Sequence, residues 1–110
     1  MKPAAFDYER PETVSVAIKL LQDTGGSAKI LAGGQSLGPM LNMRLVNPTL
    51  LIDIARISEL NDISDDGDAL IFGACVTHAA IEDRKVPDAS GGMMPAVAGG
   101  IAYRAVRNKG

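Results

Sequence analysis

The apolar positions of this chain change their period several times along its length. Near the start, Phe6 and Tyr8 alternate with polar neighbours, the two-residue period of a strand. Val14, Ala17, Ile18 and Leu21 then fall at helical spacing. Pro11 is expected to open that helix, where its missing N–H costs nothing, and Gly25-Gly26 to stop it. Lys29-Ile30-Leu31-Ala32 reads as a compact strand and runs directly into Gly33-Gly34-Gln35-Ser36. From Leu37 to Leu45, Met40, Leu41 and Arg44 sit at helical offsets, with Pro39 confining the start of any helix to its own vicinity. Asn47-Pro48 is a turn. The nearly continuous apolar run Leu50-Leu51-Ile52-Asp53-Ile54 is a buried strand.

In the second half, Leu60 to Ile63 and Ala69 to Ala74 flank Ser64-Asp65-Asp66-Gly67-Asp68. Asp-Gly between two apolar stretches predicts a hairpin. Thr77 is placed to cap a short helix through Arg84, although the capping box is incomplete because Ala80 stands where Glu or Gln would complete it. Ser90-Gly91-Gly92 is a loop, and Met94 to Val106 reads as one helix weakened by Gly99-Gly100. The order predicts a mixed α/β (α+β) fold with a parallel core from the first crossover.

Composition sharpens this picture in three ways. Two Phe, two Tyr and no Trp mean an aliphatic core, and Met40, Met43, Met93 and Met94 are expected to help fill it. A net charge of −2 lacks the basic excess of a nucleic-acid binder, and Arg104, Arg107 and Lys109 read as a local solvated face. Cys75 is the single cysteine and His78 the single histidine, so neither an intrachain disulfide nor a His/Cys metal set can be assembled. Cys75 reads as a small buried hydrophobe, His78 as a structural polar residue, and Asp53 as an acceptor for backbone N–H groups at a strand end. The N-terminus has no apolar signal region and no run is long enough to span a bilayer, which makes a reducing cytoplasm the expected compartment.

The candidate chemistry lies in Ala32-Gly33-Gly34-Gln35-Ser36-Leu37. Glycines directly after a strand permit positive φ and close ligand approach, and successive N–H groups in such a turn bind anionic oxygens. The Ser36 hydroxyl adds a side-chain donor. Two familiar phosphate loops are excluded: Gln35 occupies the third position of a Rossmann fingerprint, and Pro39 stands where a P-loop spaced on Gly33 and Gly38 needs Lys. Spacing alone leaves two readings open, a diphosphate cradle and a plain strand-to-helix turn.

That segment, with Pro39-Met40 and Arg44-Leu45, resembles the first FAD-diphosphate motif of the molybdenum hydroxylase flavin (medium) subunits, the xanthine dehydrogenase and aerobic carbon monoxide dehydrogenase type. Leu51-Ile52-Asp53-Ile54, Gly73-Ala74 with Thr77-His78, and Ile101-Ala102 with Val106-Arg107-Asn108 extend the resemblance nearly end to end. It implies a PCMH-type FAD-binding fold, with an N-terminal βαβ subdomain and the start of a second. Ala32, Gly33, Gly34, Gln35, Ser36 and Leu37 would hold the diphosphate of FAD, and Ile101-Ala102 would lie near the flavin. No catalytic side chain is implied, because the redox chemistry belongs to the cofactor. The implied role is to pass electrons from [2Fe–2S] centres through FAD to an external acceptor, beside a molybdopterin-binding large subunit and a [2Fe–2S] small subunit.

In the family a second glycine motif, Thr-Ile-Gly-Gly, follows the Arg-Asn-x-Gly segment. The chain ends at Gly110, so residues 1–110 are expected to be a PCMH-type domain cut short before that motif. The alternative is a non-catalytic fragment that binds a nucleotide weakly or only packs on a partner subunit. Another flavoenzyme on this fold, of the UDP-N-acetylenolpyruvoylglucosamine reductase kind, would typically show Gly-Gly-Gly-Ser-Asn at the loop.

Overall fold

Three strands and two helices make the first of two units, residues 1–59, in a computed structural model that describes all of residues 1–110. Strands β1 (Asp7–Glu9), β2 (Ala28–Leu31) and β3 (Leu50–Asp53) form a parallel sheet in the order β1-β3-β2. The last strand in sequence thus lies in the middle, and all four of its residues are buried, as its apolar run predicted. Leu51, Ile52 and Ile57 are at most 2% exposed and anchor the core with Leu41, Leu50 and Ile54. Full burial of one such side chain contributes about 1.5–3 kcal/mol.

Helix α1 (Val14–Asp23) starts three residues later than Pro11 suggested. Thr13 decides the start: its Oγ1 accepts the Val16 N–H at 3.2 Å, a side-chain cap that Pro11 has no means to provide. Of its four periodic residues Ala17 is buried, whereas Ile18 is exposed. Helix α2 (Leu37–Asn42) carries Pro39 in its first turn, where no intrahelical N–H bond is forfeited. Met40 and Met43 are exposed there rather than filling the core, because Leu41 is the residue of α2 that turns inward.

The second unit, residues 60–110, holds an antiparallel hairpin of β4 (Ile63–Asp65) and β5 (Leu70–Phe72). Its turn is built as the Asp-Gly signal predicted, with Asp65 Oδ1 accepting the Gly67 N–H and Asp66 Oδ1 those of Asp68 and Ala69. Thr77 caps α3 (His78–Glu82) through the Ala80 N–H at 3.2 Å. The helix expected over Met94 to Val106 is instead two, α4 (Met93–Gly99) and α5 (Arg104–Arg107). Gly99-Gly100 ends the first, and Ala102 then adopts a positive φ of 45° that no helix contains.

Ion pairs join α5 to α3 in this unit. Its buried apolar side chains are Ala79, Pro95 and Ala98, while Met93 and Val97 stay exposed. Of the basic residues read as a solvated face, Arg104 and Lys109 are exposed and Arg107 is half-buried, and both arginines are paired with acids. Arg107 Nε reaches Glu82 Oε2 at 2.7 Å, and Arg104 reaches Glu82 at 3.0 Å and Asp83 at 2.5 Å. The Arg107 guanidinium also donates to the Ile101 and Ala102 carbonyls, which holds the bend between α4 and α5. Its hydrogen bond is the main reason that the Glu82 carboxyl lies below its ordinary pKa.

Gly73, just after β5, is the tightest backbone approach in this unit: an added Cβ would stand 2.2 Å from the Leu60 carbonyl oxygen. Gly73→Ala must displace main chain, so it is expected to destabilise by about 1–3 kcal/mol. Gly38→Ala, inside α2 with nothing within 4 Å, should be neutral or stabilising. Thermal melts followed by circular dichroism compare the two; equal midpoints would contradict the close approach at Gly73.

Candidate functional site

The carboxyl end of the parallel sheet carries the glycine loop and Asp53, and open α/β sheets generally place ligands at that end. There β2 ends at Leu31, paired with Asp53, and the chain turns at once through the glycine loop. Gly34 is the loop glycine at positive φ, 75°, and a Cβ on it would meet Leu31 Cδ1 at 3.2 Å. Its carbonyl accepts the Gly38 N–H at 2.8 Å, which draws the loop onto the start of α2.

The six predicted residues stay together. Ala32, Gln35 and Ser36 are exposed; Gly33, Gly34 and Leu37 are half-buried. Gln35 Nε2 donates to the Gly33 carbonyl at 3.1 Å, so this side chain braces the turn. Ser36 precedes α2 without using its hydroxyl as a cap. The N–H groups of Gly34, Gln35, Ser36 and Leu37 donate to no acceptor in the chain. Successive free donors beginning at a positive-φ glycine are the kind of backbone arrangement that can bind anionic oxygens.

Beside the loop stands a group that sequence reasoning treated only in part. Asp53 is 6% exposed. Its Oδ1 accepts the Ala55 N–H at 3.0 Å, as expected of a strand-end carboxylate. Its Oδ2 also accepts the Tyr8 hydroxyl and, at 3.4 Å, the Arg10 Nε. Burial alone would raise the carboxyl pKa; the Tyr8 hydroxyl, the Ala55 N–H and Arg10 together outweigh it, so the value is lowered. The same Asp53 contact raises the Tyr8 pKa. No local signal in the sequence marks this group: Tyr8 lies in β1 and Arg10 follows it, and only the parallel pairing of β1 with β3 brings them to Asp53.

In the second unit an apolar cleft of about 370 Å³ is lined by Leu70, Phe72, Ala89, Ser90 and Met94. Ser90, its polar member, is engaged by Asp88 and by the Met94 N–H. His78 donates its backbone N–H to the Gly110 carbonyl at 2.7 Å, and its Nδ1 is buried without a partner. Cys75 is half-buried rather than buried, next to a main chain tied to Leu60. No three His, Cys, Asp or Glu side chains are grouped to hold a metal ion.

Residues 4–110 match the family described as FAD binding domain in molybdopterin dehydrogenase. The chain belongs to this family. It is 40% identical over 110 residues to the 6-hydroxypseudooxynicotine dehydrogenase complex subunit alpha of Paenarthrobacter nicotinovorans, covering all of this chain and 37% of that protein. It is 38% identical to the carbon monoxide dehydrogenase medium chain of Hydrogenophaga pseudoflava, covering 38% of it. The solved carbon monoxide dehydrogenase of that organism superimposes over the whole chain and 38% of its counterpart, with a TM-score of 0.92 and 38% identity. Quinoline 2-oxidoreductase from Pseudomonas putida 86 does so with a TM-score of 0.88 and 39% identity, again over 38% of its chain. The chain thus spans somewhat more than a third of the length of these relatives, and its fold is the α+β fold of their FAD-binding subunits. FAD is the cofactor of the family. No helix is long and apolar enough to cross a membrane.

The Asp53 shift sets a direction for acid sensitivity. An unfolded aspartate titrates near about 3.9, and the folded value is lower. The stabilisation is therefore complete above the unfolded value and is lost as the pH falls through the folded one. Stability measured by urea denaturation from pH 7 to pH 2 is expected to decline below about pH 4. Asp53→Asn should be less stable at neutral pH but lose less on acidification. An unchanged acid profile in that variant would remove Asp53 from the account.

Proposed function

We propose that Ala32, Gly33, Gly34, Gln35, Ser36 and Leu37 hold the diphosphate of FAD, within a PCMH-type FAD-binding domain that residues 1–110 contribute to a molybdenum hydroxylase medium subunit. The observation that carries this reading is the run of four free N–H groups, Gly34 to Leu37, around a glycine at positive φ. A free N–H is ordinary at Leu37, where α2 opens, but those of Gly34, Gln35 and Ser36 precede the helix, and the Ser36 hydroxyl adds one more donor. Each hydrogen bond to a charged oxygen contributes about 1.5–3 kcal/mol.

The work of these residues is to bind and orient. Gly34 lets the main chain approach the ligand, and Gln35 fixes the turn by its bond to Gly33. When bound, FAD supplies the redox chemistry, which accounts for a site built without an acid–base pair. In the assembled protein the route runs from [2Fe–2S] centres through FAD to an external acceptor. The partners are a molybdopterin-binding large subunit and a [2Fe–2S] small subunit, in the cytoplasm. Family membership and the subunit names of the relatives support this assignment.

The test is Gly34→Val with Gly34→Ala beside it. A side chain at φ 75° is strained, and its Cβ would stand 3.2 Å from Leu31 Cδ1, which a branched residue crowds further. Calorimetric titration with FAD should show weakened binding for Ala and none for Val, with the circular dichroism of both retained. Parental affinity in Gly34→Val would overturn the loop assignment.

A further inference from the structure

Arg10 leaves the sheet at the same level as the glycine loop. The last pair of β1 is Glu9 with Ile52, and the last pair of β2 is Leu31 with Asp53. Continuing the register, Arg10 lies level with Asp53 and Leu31, with β3 between them. Strands are spaced about 4.8 Å apart, so the main chain at Arg10 lies about 10 Å from the residue where the loop begins. The Arg10 side chain crosses part of this gap, because its Nε stands 3.4 Å from Asp53 Oδ2.

That contact uses little of the guanidinium. Only Nε is engaged; the two terminal nitrogens have no partner in the chain, and the side chain is 42% exposed. A carboxylate that needed only a counter-charge would favour the bidentate fork of an arginine. Here Tyr8 and the Ala55 N–H already hold Asp53, which makes it a fixed seat on the central strand. The loop itself, Ala32 to Leu37, contains no charged residue. A diphosphate bound there would find neutral donors and, nearby, a buried carboxylate of its own sign. Arg10 masks that carboxylate and keeps a planar pair of donors free.

We propose that Arg10, seated by Asp53 and Tyr8, is a second anion-binding group for the diphosphate cradled by Gly34 to Leu37. The ligand then extends from the end of β2 toward the end of β3. This rests on the reading of the loop given above. Asp53 and Tyr8 act through Arg10 and are positioning residues.

The experiment is calorimetric titration of the 110-residue chain with FAD and, separately, with inorganic pyrophosphate, which carries the anion without the rings. Arg10→Ala is expected to weaken both roughly tenfold to a hundredfold, the loss of a charge-assisted donor. Arg10→Lys should fall between, since it keeps the charge and loses the fork. Circular dichroism spectra matching the parent establish that the fold is intact, and an exposed Arg10 leads us to expect that. If Gly34→Val abolishes binding while Arg10→Ala equals the parent for both ligands, Arg10 is excluded and the loop reading stands. If Gly34→Val binds normally, the loop reading falls, and the shared site falls with it. An unaltered chain that takes up neither FAD nor pyrophosphate overturns both.

Discussion

A strand paired in parallel on both edges and covered on both faces cannot shift without breaking two ladders, and β3 is in that position. The segments that leave the sheet at its carboxyl end must then leave from fixed places: Arg10 after β1, the glycine loop after β2, Asp53 at the end of β3 itself. Ile52, fully buried, sits one residue before that carboxylate. The aliphatic core therefore sets the spacing of the polar groups. Register also explains the side taken by each residue, because a slip of one position would turn Asp53 to the opposite face.

In the proposed site the loop and its neighbour would meet an anion in different ways. The loop supplies main-chain donors whose direction is set by φ at Gly34 and by the brace from Gln35. Those donors cannot rotate away, so little ordering entropy is lost when a ligand arrives. Arg10 is a long, half-exposed side chain restrained at a single nitrogen. Rigid neutral donors give shape, and a tethered cation gives charge.

Much of the first unit was legible in the chain because each signal there is local. The apolar run at Leu50 to Ile54 and the strand leading into Gly33-Gly34 need no distant partner to be read. The hairpin at Asp66-Gly67 and the cap at Thr77 were legible for the same reason. The turn expected at Asn47-Pro48, by contrast, falls earlier, at Met43-Arg44-Leu45, where Arg44 adopts a positive φ of 56°. What periodicity could not supply was competition between caps: Thr13, not Pro11, starts α1, because a hydroxyl acceptor outweighs a preset φ. Nor could it show that Arg104 and Arg107 face Glu82 and Asp83, more than twenty residues back in sequence and adjacent only once the helices dock. The methionines misled for a related reason, since an apolar residue on a short helix is buried only if something covers it. Of the candidate site, the loop was readable as a motif. The Tyr8–Asp53–Arg10 group was not, because it exists only through the order β1-β3-β2.

The scarcity of buried apolar residues in the second unit has a consequence for its dynamics. With Ala79, Pro95 and Ala98 as its inner members, little of its cohesion is of the kind that a large heat-capacity change accompanies. Within it α5 is joined to α3 by the more exposed Arg104 pairs and by the more sheltered pairing of Arg107, and the former are more open to screening by dissolved ions. Local opening of α5 thus becomes a function of ionic strength, graded by how deep each arginine sits, while the sheet of the first unit is governed by water's aversion to its aliphatic surface.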